Sequence, residues 1–350
     1  MLIDKLVRQV KALKLNLKGK TVLTEAATGA YIVTPILAAL AGAKVFAYSK
    51  NTRYGTVEEV FAATRTLAGT FKEFPLDIHY TDKLSPGIIE QADIITNSGH
   101  LRPLNQTILT YARDEMVIPL MYEAWEWRDA DMDIKYIRKR GFKIGATNER
   151  HPDVDVFNYL GDMALKLIFD AGICTYKNKF ILLCNNDFGP FIAKVLAAVC
   201  DGLAVIDKDE NKKLYNLNQI DWVGGFPDVQ IPEPYKDAEA VIFTAYPFDQ
   251  DWIGEKTPIN IQQIQSQLSD PFIIRYAGDV EETFLKNKNV RFFPQIVYSG
   301  HMGILPSAIG NDPIIRLQSG GLKVGELLIN KQTHYQGIPL ADLIDTKIYP

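Results

Sequence analysis

Lys179-Phe180-Ile181-Leu182-Leu183-Cys184-Asn185-Asn186-Asp187-Phe188-Gly189-Pro190 is the stretch that decides how this chain is read. It runs as a strand, a loop and the start of a helix, where a dinucleotide-binding unit carries the pattern G-x-G-x-x-G. Set on that pattern, the three glycine positions are Cys184, Asn186 and Gly189. The first two glycines permit a tight turn and a close approach of backbone to pyrophosphate, and the third lets helix pack on strand. Only the packing glycine is present. Asparagine tolerates left-handed backbone angles, so the turn itself can form. Asp187, by contrast, sets a carboxylate in the path of a phosphate.

Outward from this unit, strands and helices alternate in both directions. Towards the N-terminus, a helix over about 2–14 precedes a strand at 20–24 and a helix from Gly29 to Ala39. A strand at 44–49 and a helix at 56–68 follow, then strands at 76–80, 93–96 and 116–122, a helix at 131–140 and a strand at 143–146. Towards the C-terminus, a helix at 189–200 is followed by strands at 203–206, 240–244, 271–275 and 290–293, a helix at 311–329 and a polar tail. Such alternation predicts an α/β fold with parallel sheets. Val156, Tyr159, Leu160, Met163, Leu167 and Ile168 recur at helical spacing between the two halves. The expected architecture is two Rossmann-like domains joined by long helices around a central cleft. The expected division is a substrate-type domain at 1–152, a linking helix at 153–176, a dinucleotide-type domain at 177–310 and a C-terminal helix and tail at 311–350.

Composition narrows the function classes. The 350 residues suffice for two ordinary cores, and 47% hydrophobic with 23% charged residues is the mix of a globular protein. A formal charge of −4 offers no attraction to nucleic acid or to an anionic membrane. Cys174, Cys184 and Cys200 make neither a zinc spacing nor a disulfide framework, which fits a reducing compartment. The charged, amphipathic N-terminus is unlike a signal peptide, and the apolar stretch 32–47 is interrupted by Pro35 and Lys44. The expected location is the cytoplasm. HExxH, P-loop, CxxC and G-x-S-x-G patterns are absent from the sequence, and no spacing proposes a metal site.

The stretch from Asp131-Met132-Asp133 through Arg140-Gly141 to Thr147-Asn148-Glu149 resembles the D-isomer 2-hydroxyacid (formate/glycerate) dehydrogenase family. The likeness continues through the 155–171 helix, the 184–189 loop, Ala240 to Pro247, Pro271 to Gly278, and Asn289 to Gln295. The N-terminal half also resembles adenosylhomocysteinase, through Ala38 to Thr52 and the helix after it. The resemblance implies NAD or NADP on the 177–310 domain, with a homodimer as the assembly. It also exposes departures. The position of the family's catalytic arginine is Ala277, with Arg275 two residues earlier, and that of its catalytic histidine is Gln295, with His301 six residues on.

In α/β sheets, ligands collect beyond the carboxyl ends of the strands. Polar residues at those ends are therefore the candidates. For substrate they are Glu25 and Thr28, Asn51 and Arg53, and Asn97, Ser98 and Arg102. Thr28 has ordinary N-capping as its competing role, and the loop around Asn51 that of a solvated turn. His100 and His301 are candidate proton-transfer groups, because imidazole suits that task near neutral pH. Glu123, directly after a buried strand, is a candidate base, and Arg275 or Arg102 a candidate carboxylate clamp. For a cofactor the candidates are Asn185, Asn186, Asp187, Phe188 and Gly189, Asp207 about twenty residues on at the ribose position, and Tyr246 with Pro247.

The leading functional expectation is an NAD(P)-dependent oxidoreductase-like enzyme acting on a small polar metabolite. One alternative is a lyase, hydrolase or synthase that binds its substrate directly, with Asn185, Asn186 and Asp187 as ligands. Another is a non-catalytic binding or assembly component that keeps the fold without the chemistry.

Overall fold

The structure is a computed structural model that describes residues 2–268 and 270–345. The chain divides into two units, residues 1–156 with 310–350, and residues 157–309.

The first unit is built on strands β1 (Thr21–Glu25), β2 (Lys44–Tyr48), β3 (Ile78–Thr81), β4 (Ile94–Ile95), β5 (Val117–Pro119) and β6 (Lys143–Thr147). All pair in parallel, in the spatial order β3-β2-β1-β4-β5-β6. Val22, Leu23, Val45, Ile94, Ile95 and Ile118 are wholly buried, as expected where helices cover both faces of a parallel sheet. The strand expected at 116–122 is shorter, ending at Pro119, which has no N–H for the ladder. Thr56 opens the Val57–Ala68 helix with a reciprocal box: its hydroxyl accepts from the Glu59 N–H while Glu59 accepts from the Thr56 N–H at 2.8 Å.

The second unit repeats the plan. Its strands β7 (Lys179–Cys184), β8 (Gly202–Ile206), β9 (Asp221–Trp222) and β10 (Ala240–Thr244) are followed by β11 (Asp251–Gly254), β12 (Ile259–Asn260), β13 (Phe272–Ala277), β14 (Asp279–Val280) and β15 (Arg291–Phe293). The main sheet is parallel in the order β15-β13-β10-β7-β8-β9, and β12-β11-β14 form a small second sheet. Renumbered within each unit, both main sheets read 3-2-1-4-5-6, the doubly wound order in which the chain reverses direction between the first and fourth strands. The helix expected to fill 153–176 is regular only over Leu160–Asp170, since the backbone at Asp155 turns left-handed (φ 51°) and a 3₁₀ turn at Phe157–Tyr159 intervenes. That helix crosses the Gly189–Leu196 helix at Gly161, where a Cβ would lie 2.2 Å from Val195 Cγ2.

Past Ile309 the chain returns to the first unit. The Asp312–Ile329 helix is buried along most of its length, and at Gly321 it comes so near Met121 that a Cβ would meet its Sδ at 2.4 Å. The polar tail is partly ordered into sheet. Strands β16 (His334–Tyr335) and β17 (Ile338–Pro339) form a hairpin, and β18 (Ala341–Leu343) adds an antiparallel edge to β6.

The tightness at Gly161 gives a stability test. Gly161→Ala should lower the free energy of unfolding by about 1–3 kcal/mol through overpacking. Gly87→Ala, in a short helix where a Cβ meets nothing within 4 Å, should be neutral or stabilising by about 0.4–1 kcal/mol. Urea melts of the two variants beside the parent chain measure both.

Candidate functional site

At the carboxyl edge of the first sheet, β1 ends on Glu25, which is buried although charged. Its Oε2 reaches across to the loop after β4 and accepts the His100 backbone N–H at 3.0 Å. The His100 ring is held from a third strand end: Ser49, just past β2 and wholly buried, lies 3.2 Å from Nδ1 through its Oγ. A hydrogen bond at one ring nitrogen fixes the orientation of the other, and Nε2 has no partner among the described residues. Behind this loop Thr96, Thr24 and Ser98 form a buried hydroxyl chain with both links at 2.8 Å. Ser98 is thus a brace for the loop.

Asn97 and Arg102 bind each other. Arg102 donates from Nε to the Asn97 side-chain oxygen (2.8 Å) and from Nη2 to the Asn97 carbonyl (2.9 Å). Asn97 in turn donates to the Tyr122 hydroxyl at 2.7 Å, and the guanidinium lies over the Tyr122 ring with Asp131 at 3.4 Å. Burial pushes the Tyr122 hydroxyl up to about 12. Asn51 accepts the Val57 N–H at 2.9 Å and so secures the next helix, while Arg53 lies over the Tyr54 ring on the surface. Thr28 makes no capping hydrogen bond, so N-capping does not account for its hydroxyl.

Glu123 is not a free base. Its carboxylate accepts from Trp125 Nε1 (2.9 Å), the Glu149 N–H (3.1 Å) and Arg150 (3.0 Å). Burial raises its affinity for a proton, and Arg150 opposes that. Two neighbours that sequence reasoning misses complete an acidic group. Glu126 accepts the Glu123 N–H at 3.2 Å and is pushed up to about 7, chiefly by burial. Glu149 is pushed well above the usual carboxylate range by burial, then by the charges of Glu126 and Glu123. The strand-end rule applied to β6 points to Glu149, two residues beyond Thr147. Among the described residues, no group of three or more His, Cys, Asp or Glu side chains is arranged to hold a metal ion.

The corresponding edge of the second sheet is closed by its own side chains. Asn185 pairs with the backbone of Tyr246, accepting its N–H at 2.8 Å and donating to its carbonyl at 3.1 Å. Asn186 donates to Thr244 Oγ1 and accepts the Phe188 N–H, each at 3.1 Å. Phe188 packs among Phe157, Phe248 and Tyr276, and Asp187 is exposed. Gly189 makes room for a side chain of this chain, since a Cβ there would lie 2.1 Å from the Tyr215 hydroxyl and 2.6 Å from Cys184 Sγ. Tyr215 donates to Asp207 Oδ2 at 2.6 Å, while Oδ1 accepts from the Lys208 N–H and from Asn211. Burial raises both the Tyr215 and the Cys184 proton affinities. Both Asp207 oxygens are thus engaged from within the chain and the side chain is wholly buried, and the loop lacks the bare backbone on which a pyrophosphate would rest. The residues present do not fit a dinucleotide seated in the ordinary way. Pro247 follows Tyr246, and its carbonyl accepts from Trp252 Nε1 at 2.8 Å.

Arg275 is only 2% exposed and is neutralised from within, by Asp279 and by Glu282 at 2.8 Å, with Nε donating to the Gly278 carbonyl. It borders an open hollow of about 750 Å³ that Asp249, Asp251 and Glu281 make acidic. The expectation that Arg275 clamps a substrate carboxylate is corrected on that ground. Asp279 also accepts from Ser299 Oγ and the Gly300 N–H, fixing the loop on which exposed His301 is held by Nδ1 to the Ser299 carbonyl at 3.0 Å.

No protein-family model matches the chain, and no curated protein does. Solved structures do. The A chain of dipicolinate synthase from Bacillus subtilis matches with a TM-score of 0.58 at 11% identity, over 91% of this chain and 99% of that one. Its counterpart in the dipicolinate synthase of Bacillus halodurans gives 0.55 at 10%, over 91% and 100%. An NAD-complexed D-isomer specific 2-hydroxyacid dehydrogenase from Lactobacillus delbrueckii ssp. bulgaricus gives 0.50 at 12%, over 93% and 100%. Identities this low convey the fold, and at that level the resemblance read from the sequence holds. No helix among the described residues is long and apolar enough to cross a membrane.

Two tests follow from this geometry. Titration with NADH or NADPH, followed by nicotinamide fluorescence, should show no saturable binding below millimolar ligand. Micromolar binding that an Asn186→Tyr variant removes would mean the loop opens. The second test concerns pH. Glu126 binds its proton more tightly when folded (about 7) than at the ordinary value of 4.5, so the folded state holds more protons between those values. Its contribution to stability is full below 4.5 and is lost as pH rises through 7. Glu126→Gln should flatten the decline in chemical stability between about pH 5 and 8.

Proposed function

We propose that this chain is an acid–base enzyme for a small polar metabolite, built on a dehydrogenase-like frame, with its chemistry on the first unit and His100 as the proton-transfer group. The observation that carries the reading is the His100 constellation at the point where the first sheet reverses. Its N–H is held by Glu25, its Nδ1 by Ser49, and its Nε2 is left to a substrate. The other imidazoles are poorer candidates. His151 is buried, with Nε2 3.1 Å from the Tyr335 carbonyl, His79 pairs with Asp77 at the surface, and His334 contacts Thr333. His301 is the second candidate, since its Nε2 is likewise unengaged among the described residues.

In this reading Ser49 orients the imidazole, Glu25 positions the loop, and Arg102 with Tyr122 forms a rigid polar wall beside it. Nε2 takes a proton from, or returns one to, a carbon or oxygen of the bound metabolite. A second reading, an NAD(P)-dependent oxidoreductase, is supported by the NAD-complexed relative in fold and opposed by the residues that close the 184–189 loop. With that loop closed, a hydride donor has no seat of the usual kind. A homodimer in the cytoplasm belongs to the same proposal, on the analogy of the resembled family.

The test begins with ¹H–¹⁵N spectra of the five histidines during titration with small hydroxy, oxo and amino acids. The ligand that turns over should move the His100 ring signals first. His100→Gln should then reduce kcat by about 10²–10⁴ with the melting curve unchanged, and Ser49→Ala by less. Full activity in His100→Gln with loss in His301→Gln would transfer the assignment to the second unit.

A further inference from the structure

In the dinucleotide-binding pattern the loop glycines leave room for the ligand, and an acid about twenty residues on takes a ribose hydroxyl. In the second unit the first and third loop positions are Cys184 and Gly189, and the acid is Asp207. One atom of this chain meets all three. The Tyr215 hydroxyl donates to Asp207 Oδ2 at 2.6 Å, has Cys184 Sγ at 3.2 Å, and lies so close over Gly189 that a Cβ there would meet it at 2.1 Å. The bond to Asp207 falls in the short range of about 2.5–2.7 Å for a hydroxyl on a carboxylate, the bond a ribose hydroxyl would make.

Tyr215 is delivered there by the connection after β8, and Asp207 itself secures that connection. Its Oδ1 accepts the Lys208 N–H at 2.6 Å and Asn211 Nδ2 at 3.0 Å, which ties down the 3₁₀ turn Asp209–Leu214 that ends on the tyrosine. Trp222 of β9 stands against the ring with centroids 5.4 Å apart, and Tyr215 is only 8% exposed. We infer that Tyr215 is an internal ligand, its hydroxyl taking the place of a ribose hydroxyl on Asp207, so that the second unit holds a nucleoside site filled by the chain itself. The inference accounts for an acid and a packing glycine kept at their stations where the other two glycines are gone. The phosphate half of the site is closed separately, by Asn185 on Tyr246 and Asn186 on Thr244. Removing the tyrosine should therefore admit a nucleoside, the part of the ligand that needs no phosphate seat.

The experiment is calorimetry on the full chain and on Tyr215→Ala, with adenosine, with dideoxyadenosine, which lacks both ring hydroxyls of the ribose, and with phenol. The parent chain should show no saturable adenosine binding below millimolar ligand, and Tyr215→Ala should bind it at least about tenfold more tightly. Dideoxyadenosine should stay at the parent's level, and adding Asp207→Asn to Tyr215→Ala should return adenosine to that level. Tyr215→Phe still fills the space and should exclude adenosine. If Tyr215→Ala does not fold unaided, phenol, which has the shape of the missing side chain, should restore its melting transition. Adenosine binding as tightly to the parent or to Tyr215→Phe as to Tyr215→Ala, equal binding of dideoxyadenosine, or neither binding nor rescue in Tyr215→Ala would overturn the inference.

Discussion

One contact recurs in both units, and the arrangement around each sheet edge depends on it. A side chain at the end of the first strand crosses the point where strand order reverses and accepts a backbone N–H from the loop after the fourth. In the first unit Glu25 accepts from His100 at 3.0 Å, and in the second Asn185 accepts from Tyr246 at 2.8 Å. The two loops part company there because their helices leave to opposite faces, so a crevice with unsatisfied amides is unavoidable. Nucleotide-binding members of the architecture satisfy those amides with a ligand. This chain satisfies one in each unit with its own side chain, and the identity of that side chain decides what each edge can do.

An amide and a carboxylate have different consequences. Asn185 both donates and accepts, so it closes a two-bond ring on Tyr246 and the crevice becomes neutral and sealed. Cys184, Tyr215 and Asp207 fill the space behind it, so the second unit's edge is a packed polar core. Glu25 only accepts, and it brings a charge. The first unit's edge then gathers further acids, one histidine held by a single ring nitrogen, and hydroxyls in fixed orientation. Reactivity follows from such incomplete satisfaction, since a group with all its partners inside the protein has nothing left to offer a substrate.

The fold was legible because parallel strands buried on both faces are written as short continuous apolar runs, as in Phe180–Cys184 and Ala240–Thr244. Strands of two or three residues, β9, β12 and β14 among them, carry too little pattern to be seen. The substrate candidates at β1, β2 and β4 were found by a rule about strand ends, and the same rule reached Glu123. It could not say which of them face each other. Asn97 and Arg102 look like ligands in sequence because both are polar and in a loop, yet five residues apart they hydrogen-bond to each other. Arg275 is invisible as a buried pair until the turn at Gly278 brings Asp279 beside it. Tyr215, which occupies the space a cofactor loop keeps clear, lies too far from Gly189 along the chain for any local pattern to connect them.

Erosion of a nucleotide site is one account of Asp187 and the missing glycines, and the geometry favours replacement. Erosion leaves gaps and unsatisfied groups, because selection no longer holds partners in register. Here Asn186, at a missing glycine, meets Thr244 and the Phe188 N–H, and Asp207, at the ribose position, meets three donors. At the edge of the other sheet His100 Nε2 is left open among the described residues. A sheet edge closed by its own side chains in one unit and an open imidazole at the corresponding edge of the other are what the proposal of chemistry on the first unit expects.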